Sequence, residues 1–99
     1  NAQVVLNDIR LKMPAELQPY MDRSGLVTQW PAKWKNQEAV LNYLIEKFSP
    51  GKKYTEKQVN ELLDKWHTYD DPVYLRRALI ETKQLRRTSN GAEYWKAKE

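Results

Sequence analysis

Hydrophobic residues recur at helical spacing between residues 36 and 48, where the chain carries Leu41, Leu44, Ile45 and Phe48. Intervals of three and four residues place these side chains on one face of an α-helix, so the stretch predicts a helix with a buried apolar face. The Ser-Pro-Gly sequence that follows ends this helix, because proline cannot continue it and glycine turns at low cost.

A second helix is predicted over residues 55–65, and its start is marked by capping chemistry. Thr55 stands at the N-cap with Gln58 three residues later, the spacing of a capping box in which each side chain accepts from the other's backbone N–H. Tyr54 and Val59 are placed to form a hydrophobic staple across the same turn. The residues predicted to face the core are Val59, Leu62, Leu63 and Trp66.

A third helix is predicted over residues 71–84, with Asp71 as its N-cap and Pro72 at the first helical position. A β-hairpin follows, because the Asn-Gly pair at 90–91 is typical of a two-residue turn with positive φ at both positions. The residues of the third helix predicted to be buried are Leu75, Ala78, Leu79 and Ile80. The pairs predicted across the hairpin, each a candidate cation–π contact, are Arg86 with Trp95 and Arg87 with Tyr94.

The N-terminal third has weaker patterns. Residues 4–12 fit either a pair of strands or the tail of an upstream helix, residues 15–22 predict a short helix, and residues 26–30 predict a strand that stops at a proline. The residues of the short helix predicted to point inward are Leu17, Tyr20 and Met21. We interpret residues 1–13 as a tag remnant and linker or an N-terminal segment, since the chain opens on Asn-Ala.

Three helices followed by a hairpin are the element order of a winged helix-turn-helix domain. We therefore predict an α+β, mainly α fold over residues 14–99, with a three-helix core, a C-terminal β-hairpin wing and an N-terminal extension. A chain of 99 residues with four Trp and six Tyr can build one compact core. There is no cysteine, which excludes disulfides and thiolate metal sites, and no apolar run approaches the length of a membrane span. We expect a cytoplasmic protein.

Charge is unevenly distributed along a chain whose net charge is +4. Residues 54–71 hold two lysines against five acids, whereas residues 83–99 hold five basic residues against two acids. Winged-helix domains place the helix before the hairpin in the DNA major groove and let the hairpin tip touch the backbone. The residues predicted to contact double-stranded DNA are therefore Tyr74, Arg77, Lys83, Arg86 and Asn90, flanked by Lys33, Lys35, Lys52 and Lys53.

The adjacent arginines of the third helix are predicted to have different roles. At 100° per residue Arg76 falls within the apolar arc, where its stem lies on the core and its guanidinium pairs with an acid such as Asp64 or Asp70. Arg77 falls outside the arc and is the better ligand contact. Acids at the start of this helix, and Glu81 further along it, oppose phosphate binding by repulsion.

Catalysis is the class of function that the sequence favours least. It contains no Gly-rich phosphate loop and no nucleophile–base order, so we predict no catalytic residues and no cofactor. The single histidine, His67, forms a nominal metal cluster with Asp70 and Asp71. A zinc site normally has more nitrogen or sulfur ligands, so we predict no metal.

Several motifs together resemble a prokaryotic domain family of unknown function. The matching segments within residues 14–97 are 25–33 (GLVTQWPAK), the helix that ends in Phe48, 54–63 (YTEKQVNELL), 71–77 with Leu79, the Leu-x-Arg of 85–87 and the Tyr-Trp of 94–95. Members of that family occur alone and attached to bacterial transcriptional activators or helix-turn-helix regulators. The resemblance implies a winged-helix-like domain in a regulatory setting and implies no activity. This chain departs from the family at Trp34, where a basic residue is usual.

Two functions from different classes therefore stay open. The first is a DNA-binding or accessory domain of a transcriptional regulator. The second is a protein-interaction or dimerisation module that docks on another domain or subunit of such a regulator, which the acidic second helix and the aromatic surplus favour.

Overall fold

The computed structural model describes residues 9–68 and 72–97. α3 is the central element, because α1, α2 and β1 all pack against it. The fold is α+β, with three helices followed by a two-stranded antiparallel hairpin, which confirms the predicted winged-helix arrangement. The elements are α1 Trp34–Ile45, α2 Glu56–Asp64, α3 Pro72–Glu81, β1 Leu85–Arg87 and β2 Tyr94–Lys96.

One hydrophobic core lies beneath all five elements. Every predicted inward residue of α1 is buried, whereas Tyr20, Leu62, Trp66, Ala78 and Ile80 are only partly buried against the core. The buried members are Leu17, Met21, Val27, Val40, Leu41, Leu44, Ile45, Phe48, Tyr54, Val59, Leu63, Leu75, Leu79, Leu85 and Tyr94. Continuity of this core explains how so short a hairpin stays in place, since two strands alone are marginal in water.

The first two helices differ from their predicted bounds by one to three residues. α1 begins two residues early, at Trp34, and ends at Ile45 rather than Phe48. Its last turn tightens because Phe48 N–H donates to the Ile45 carbonyl three residues back. In α2 the capping box is confirmed, with the Gln58 N–H donating to Thr55 Oγ1 at 3.1 Å and the Thr55 N–H donating to Gln58 Oε1 at 2.9 Å.

The end of α3 is set by a left-handed residue that is not glycine. The predicted N-cap, Asp71, lies outside the described residues, and the helix ends at Glu81 rather than at 84. Lys83, with φ 64°, donates its N–H to Ile80, and Gln84 donates to Leu79. These two bonds form a Schellman motif, in which the position of Lys83 is usually glycine because a Cβ is strained there.

We expect the substitution Lys83→Gly to raise the free energy of unfolding by about 0.5–1 kcal/mol, since relief of left-handed strain exceeds the entropy that glycine adds to the unfolded chain. Urea denaturation measures the change. Lys83→Ala is the matched control, because it removes the same charge but keeps the strain. An equal gain in both variants would assign the effect to charge and contradict the prediction.

The hairpin has the predicted register but a different tip. Arg86 faces Trp95 and Arg87 faces Tyr94, as predicted. The predicted two-residue turn with positive φ at both positions is wrong, because of residues 90 and 91 only Gly91 has positive φ, at 72°. Thr88 Oγ1 accepts from the backbone N–H groups of residues 92 and 93, at 3.0 and 3.2 Å, and this side chain stabilises a wider loop.

A third chain segment joins the hairpin through one residue, Tyr54. Its N–H donates to the Tyr94 carbonyl at 2.8 Å, and the Tyr94 N–H donates back at 2.7 Å. The hydroxyl of Tyr54 also accepts from the Ser49 N–H at 2.8 Å, and its ring lies 5.3 Å from that of Phe48. Tyr54 therefore connects the wing, through its backbone, to the loop after α1, which its side chain contacts.

The N-terminal predictions are only partly met. The helix predicted over 15–22 is wrong beyond a single 3₁₀ turn, Gln18–Tyr20, and the strand predicted over 26–30 is wrong because Val27 makes only isolated bridges. Val27 lies between two loops, pairing with Met21 on one side and His67 on the other. Of the ambiguous stretch 4–12, residues 4–8 lie outside the described residues, and Ile9–Lys12 is another 3₁₀ turn.

The turn before Val27 is organised by a carboxylate. Asp22 Oδ1 accepts from the backbone N–H groups of Ser24 and Leu26, each at 2.9 Å. Burial raises the pKa of Asp22 and is the largest single influence, but these hydrogen bonds together hold the pKa below its ordinary value. Tyr43 donates to the Gly25 carbonyl at 2.6 Å, and burial, with the Asp22 charge, raises the pKa of its phenol.

Among the described residues, no helix combines the length and the hydrophobicity that crossing a bilayer requires.

Candidate nucleic-acid interface

A groove separates α3 from the wing, and residues of both elements line it. We call it the helix–wing groove; its volume is about 380 Å³. Arg77 from the exposed side of α3 and Asn90 from the hairpin tip, both predicted contacts, come together here with Arg87. The residues that line it are Glu56, Arg76, Arg77, Ile80, Glu81, Arg87, Asn90, Gly91 and Tyr94.

Arg76 also lines this groove, but contacts within the protein hold its side chain. Its guanidinium donates to Asn60 Oδ1 at 2.7 Å and pairs with Glu56 Oε1 at 3.0 Å, and its side chain is only 11% exposed. The structural role predicted for Arg76, with its guanidinium paired to an acid, is confirmed, and that acid is Glu56. Of the two acids named as examples, Asp64 contacts His67, and Asp70 lies outside the described residues. Arg76 contacts the first half of α2 because the two helices pack alongside each other.

Arg87 reaches the tip of the wing. Its Nη1 atom lies 3.3 Å from the position that a Cβ on Gly91 would occupy, so the guanidinium rests against the backbone of the turn. Arg87 is exposed, as is Arg77 across the groove. Guanidinium groups donate in a planar fork that suits phosphate oxygens, so this pair is the most suitable anion-binding feature of the groove.

Two carboxylates reduce the net positive charge of the helix–wing groove. Glu56 is engaged by Arg76, whereas Glu81 lies on the wall formed by α3. Repulsion from Glu81, foreseen from the sequence, therefore acts within the groove itself. Three arginines against two glutamates still leave it positive.

The opposite side of the wing carries a second basic surface. The outer wing face, a cavity of about 850 Å³, is lined by Pro50, Gly51, Lys53, Arg86, Trp95, Lys96 and Ala97. Lys53 Nζ lies 4.2 Å from the centroid of the Trp95 ring. Among the described residues no arginine lies over Trp95 or Tyr94, so the predicted cross-strand cation–π contacts are wrong, and a lysine from another segment takes that place.

The remaining predicted contacts are dispersed over the surface. Lys83 lines a separate cavity with Asn42 and Glu46. Lys52 turns away from Lys53, since its Nζ lies 5.0 Å from the centroid of the Tyr54 ring. Lys33 and Lys35 are exposed at the start of α1.

Tyr74 belongs to an aromatic group rather than to the helix–wing groove. Its ring meets the edge of Trp30 at a centroid distance of 5.4 Å and an interplanar angle of 82°. Trp30, Trp34 and Tyr74 line one cleft, which is separate from the outer wing face. The indole N–H of Trp30 is buried and has no acceptor among the described residues.

His67 is accounted for by local packing. The residue is 7% exposed, and its Nε2 atom lies 3.0 Å from Asp64 Oδ1. Asp70 and Asp71, the other members of the nominal metal cluster, lie outside the described residues. Among the residues that the structure describes, no group of three or more His, Cys, Asp or Glu side chains could hold a metal ion.

Sequence reasoning missed three residues of these surfaces. The sequence predicts a ring contact for Arg87 and does not indicate Trp95 or Lys96 as binding residues. The alternation of side chains along a strand would have placed Arg86 and Arg87 on opposite faces of the hairpin. It could not have shown that Lys53 covers Trp95, because that contact joins distant segments.

Comparison with known proteins identifies the family of the chain but indicates no ligand for it. No curated protein and no solved structure matches it. A bacterial family profile matches residues 26–96, which span all three helices and both strands. The chain therefore belongs to the DUF2087 family, described as uncharacterized proteins conserved in bacteria.

Proposed function

We propose that the protein is a non-catalytic winged-helix module that binds double-stranded DNA through the helix–wing groove, as a domain or partner of a bacterial transcriptional regulator. The observation that carries this proposal is the meeting of Arg77, from α3, with Arg87 and Asn90, from the wing, in one groove. Helix and wing are the two elements with which winged-helix domains contact DNA.

The chemistry of the three side chains suits a phosphate backbone. Arg77 and Arg87 are exposed guanidinium groups, and the Asn90 side chain lies at the exposed tip. Half or more of the hydrogen bonds in protein–DNA complexes go to phosphate and sugar, largely from such groups. Contacts of this kind position the protein on the duplex without reading its sequence.

The opposing charges predict that binding is weak. Glu81 stands within the groove, and Glu56 reduces the contribution of Arg76. We expect dissociation constants of about 10⁻⁴–10⁻⁶ M for random-sequence duplex, the range of non-specific binding.

Fluorescence anisotropy of a labelled random-sequence duplex, titrated with protein at increasing salt, tests the proposal directly. We expect saturable binding at low salt and a slope of log K against log salt of about −2 to −4, corresponding to a few phosphate contacts. No change in anisotropy at low salt with about 100 µM protein would overturn DNA binding.

A protein-interaction module is the second candidate, and one observation favours it. Trp34 and Tyr74 are 56% and 53% exposed, and both line one cleft, which shares a single lining residue, Glu81, with the helix–wing groove. Large exposed rings grouped together are typical of binding surfaces.

A further inference from the structure

Three aromatic side chains converge on one cleft between the start of α1 and α3. We call it the aromatic cleft; its volume is about 420 Å³, and Trp30, Trp34 and Tyr74 line it with two carboxylates, Glu38 and Glu81. The rings of Trp30 and Tyr74 stand nearly perpendicular, at 82°, and so form two walls of a corner. More than half of the Trp34 and Tyr74 surfaces are exposed.

The charge of the cleft is negative. No basic residue of the described chain lines it; besides the rings and the two glutamates, its lining residues are neutral. Lys33 and Lys35 flank Trp34 along the chain but do not line the cleft. Aromatic faces and carboxylates both attract a cation, and they do so together when the cation is partly desolvated.

Four other aromatic rings of the described residues, those of Tyr43, Tyr54, Trp66 and Trp95, lie beneath the protein's own lysines. Lys47 Nζ lies 4.0 Å from the Trp66 ring centroid, and Lys53 Nζ lies 4.2 Å from that of Trp95. Over Trp30, Trp34 and Tyr74 the described residues place no such cation. The aromatic cleft therefore lacks the component that the protein supplies elsewhere.

We propose that the aromatic cleft binds a basic side chain, arginine or lysine, of a partner polypeptide. A guanidinium or ammonium group enters the corner between the rings and faces Glu38 and Glu81. This inference names the ligand of the protein-interaction module given above as the second candidate function, and so rests on it. The two carboxylates repel phosphates from the cleft, and one of them, Glu81, also lines the helix–wing groove.

A polypeptide fits this site better than a small free cation. A lone cation would leave most of the exposed ring surface of Trp34 and Tyr74 in water. A partner chain that carries the cation also covers that surface, and burial of apolar area is the larger source of affinity.

The four tryptophans provide an internally controlled test by NMR of their indole N–H signals. Trp30 and Trp34 line the cleft, whereas Trp66 and Trp95 lie elsewhere beneath lysines. An acetylated, amidated Gly-Arg-Gly peptide is added to the full chain up to a peptide concentration of about 20 mM. A separate titration uses the same peptide with citrulline in place of arginine, which keeps the shape of the side chain and removes its charge. We expect the Trp30 and Trp34 signals to shift and saturate, with binding at least about fivefold tighter for arginine.

Variants locate the binding. Trp34→Ala should weaken it about tenfold, and Glu38→Gln about threefold, without loss of fold, since both side chains are exposed. Lys65→Ala, an exposed residue that lines another cavity, is the matched control and should leave binding unchanged. If Trp34→Ala binds as the unaltered protein does, the assignment to this cleft is wrong.

Three further results would overturn the proposal. Equal binding of the citrulline peptide would show that charge is not recognised. Tighter binding of tetramethylammonium than of the arginine peptide would identify a free organic cation as the ligand. Shifts of Trp30 and Trp34 on concentrating the protein alone would identify a second copy of the chain as the occupant.

Discussion

Replacing Arg77 and Arg87 together with glutamate is expected to weaken binding of random-sequence duplex by about a hundredfold at low salt. Each reversal removes an attraction of about 1 kcal/mol and adds a comparable repulsion, the scale of exposed charges at contact distance, with part of the effect screened. The slope of log K against log salt should fall in magnitude by about 2, because two phosphate contacts are lost. Anisotropy titrations at several salt concentrations measure both quantities.

The matched control carries the same change of net charge away from the helix–wing groove. Lys12 and Lys65 are exposed, and neither lines that groove. The double variant Lys12→Glu, Lys65→Glu should lose only the small, long-range part of the attraction. If the two double variants lose affinity equally, only net charge matters, and the helix–wing groove is not the contact surface. Arg76 is unsuitable for this test, because its bonds to Glu56 and Asn60 make its removal a change in stability.

Tyr54→Ala is expected to lower the free energy of unfolding by about 3–5 kcal/mol, the cost of truncating a large buried aromatic residue. Tyr54 is 7% exposed, its ring packs against Phe48, and its hydroxyl accepts from the Ser49 N–H. A loss of this size is a large fraction of the stability of a small domain, which is about 5–15 kcal/mol. Urea denaturation followed by circular dichroism gives the value.

Tyr54→Phe separates the ring from the hydroxyl. It keeps the packing and removes one hydrogen bond, so we expect a loss of only about 0.5–1.5 kcal/mol. In Tyr54→Ala, amide hydrogen exchange should also accelerate in β1 and β2, because residue 54, whose backbone pairs with that of Tyr94, loses the side-chain contacts with Phe48 and Ser49 that hold it in place. A change below about 1 kcal/mol for Tyr54→Ala would show that this residue does not connect wing and core as we describe.

Local geometry predicted only part of the helix–wing groove, namely Arg77 and Asn90. The different roles of Arg76 and Arg77 follow from 100° per residue, and the structure places Arg76 in an internal network and Arg77 on the surface. What could not be predicted was which basic residues share a groove. Arg77 joins Arg87, while Lys52 and Lys53, adjacent in sequence, cover two different rings.

The sequence alone determined those features whose physics is local. Helix periodicity, the Thr55 capping box and the hairpin register depend on residues a few positions apart, and all were predicted correctly. The predicted ends of the helices were less exact, because alternative hydrogen bonds in the last turn differ little in energy. The end of α3, where Lys83 adopts the left-handed conformation, is an example.

Only the tertiary structure decided contacts between distant segments. Val27 is β-prone yet forms no strand, since its backbone partners are two separate loops rather than a neighbouring strand. Glu56 rather than Asp64 binds Arg76 because of the way in which α2 and α3 pack. The packing of α1 against α3 likewise brings Trp34 and Tyr74 into one cleft. Such contacts depend on the relative placement of whole elements, which the burial of a shared core sets and which no local pattern encodes.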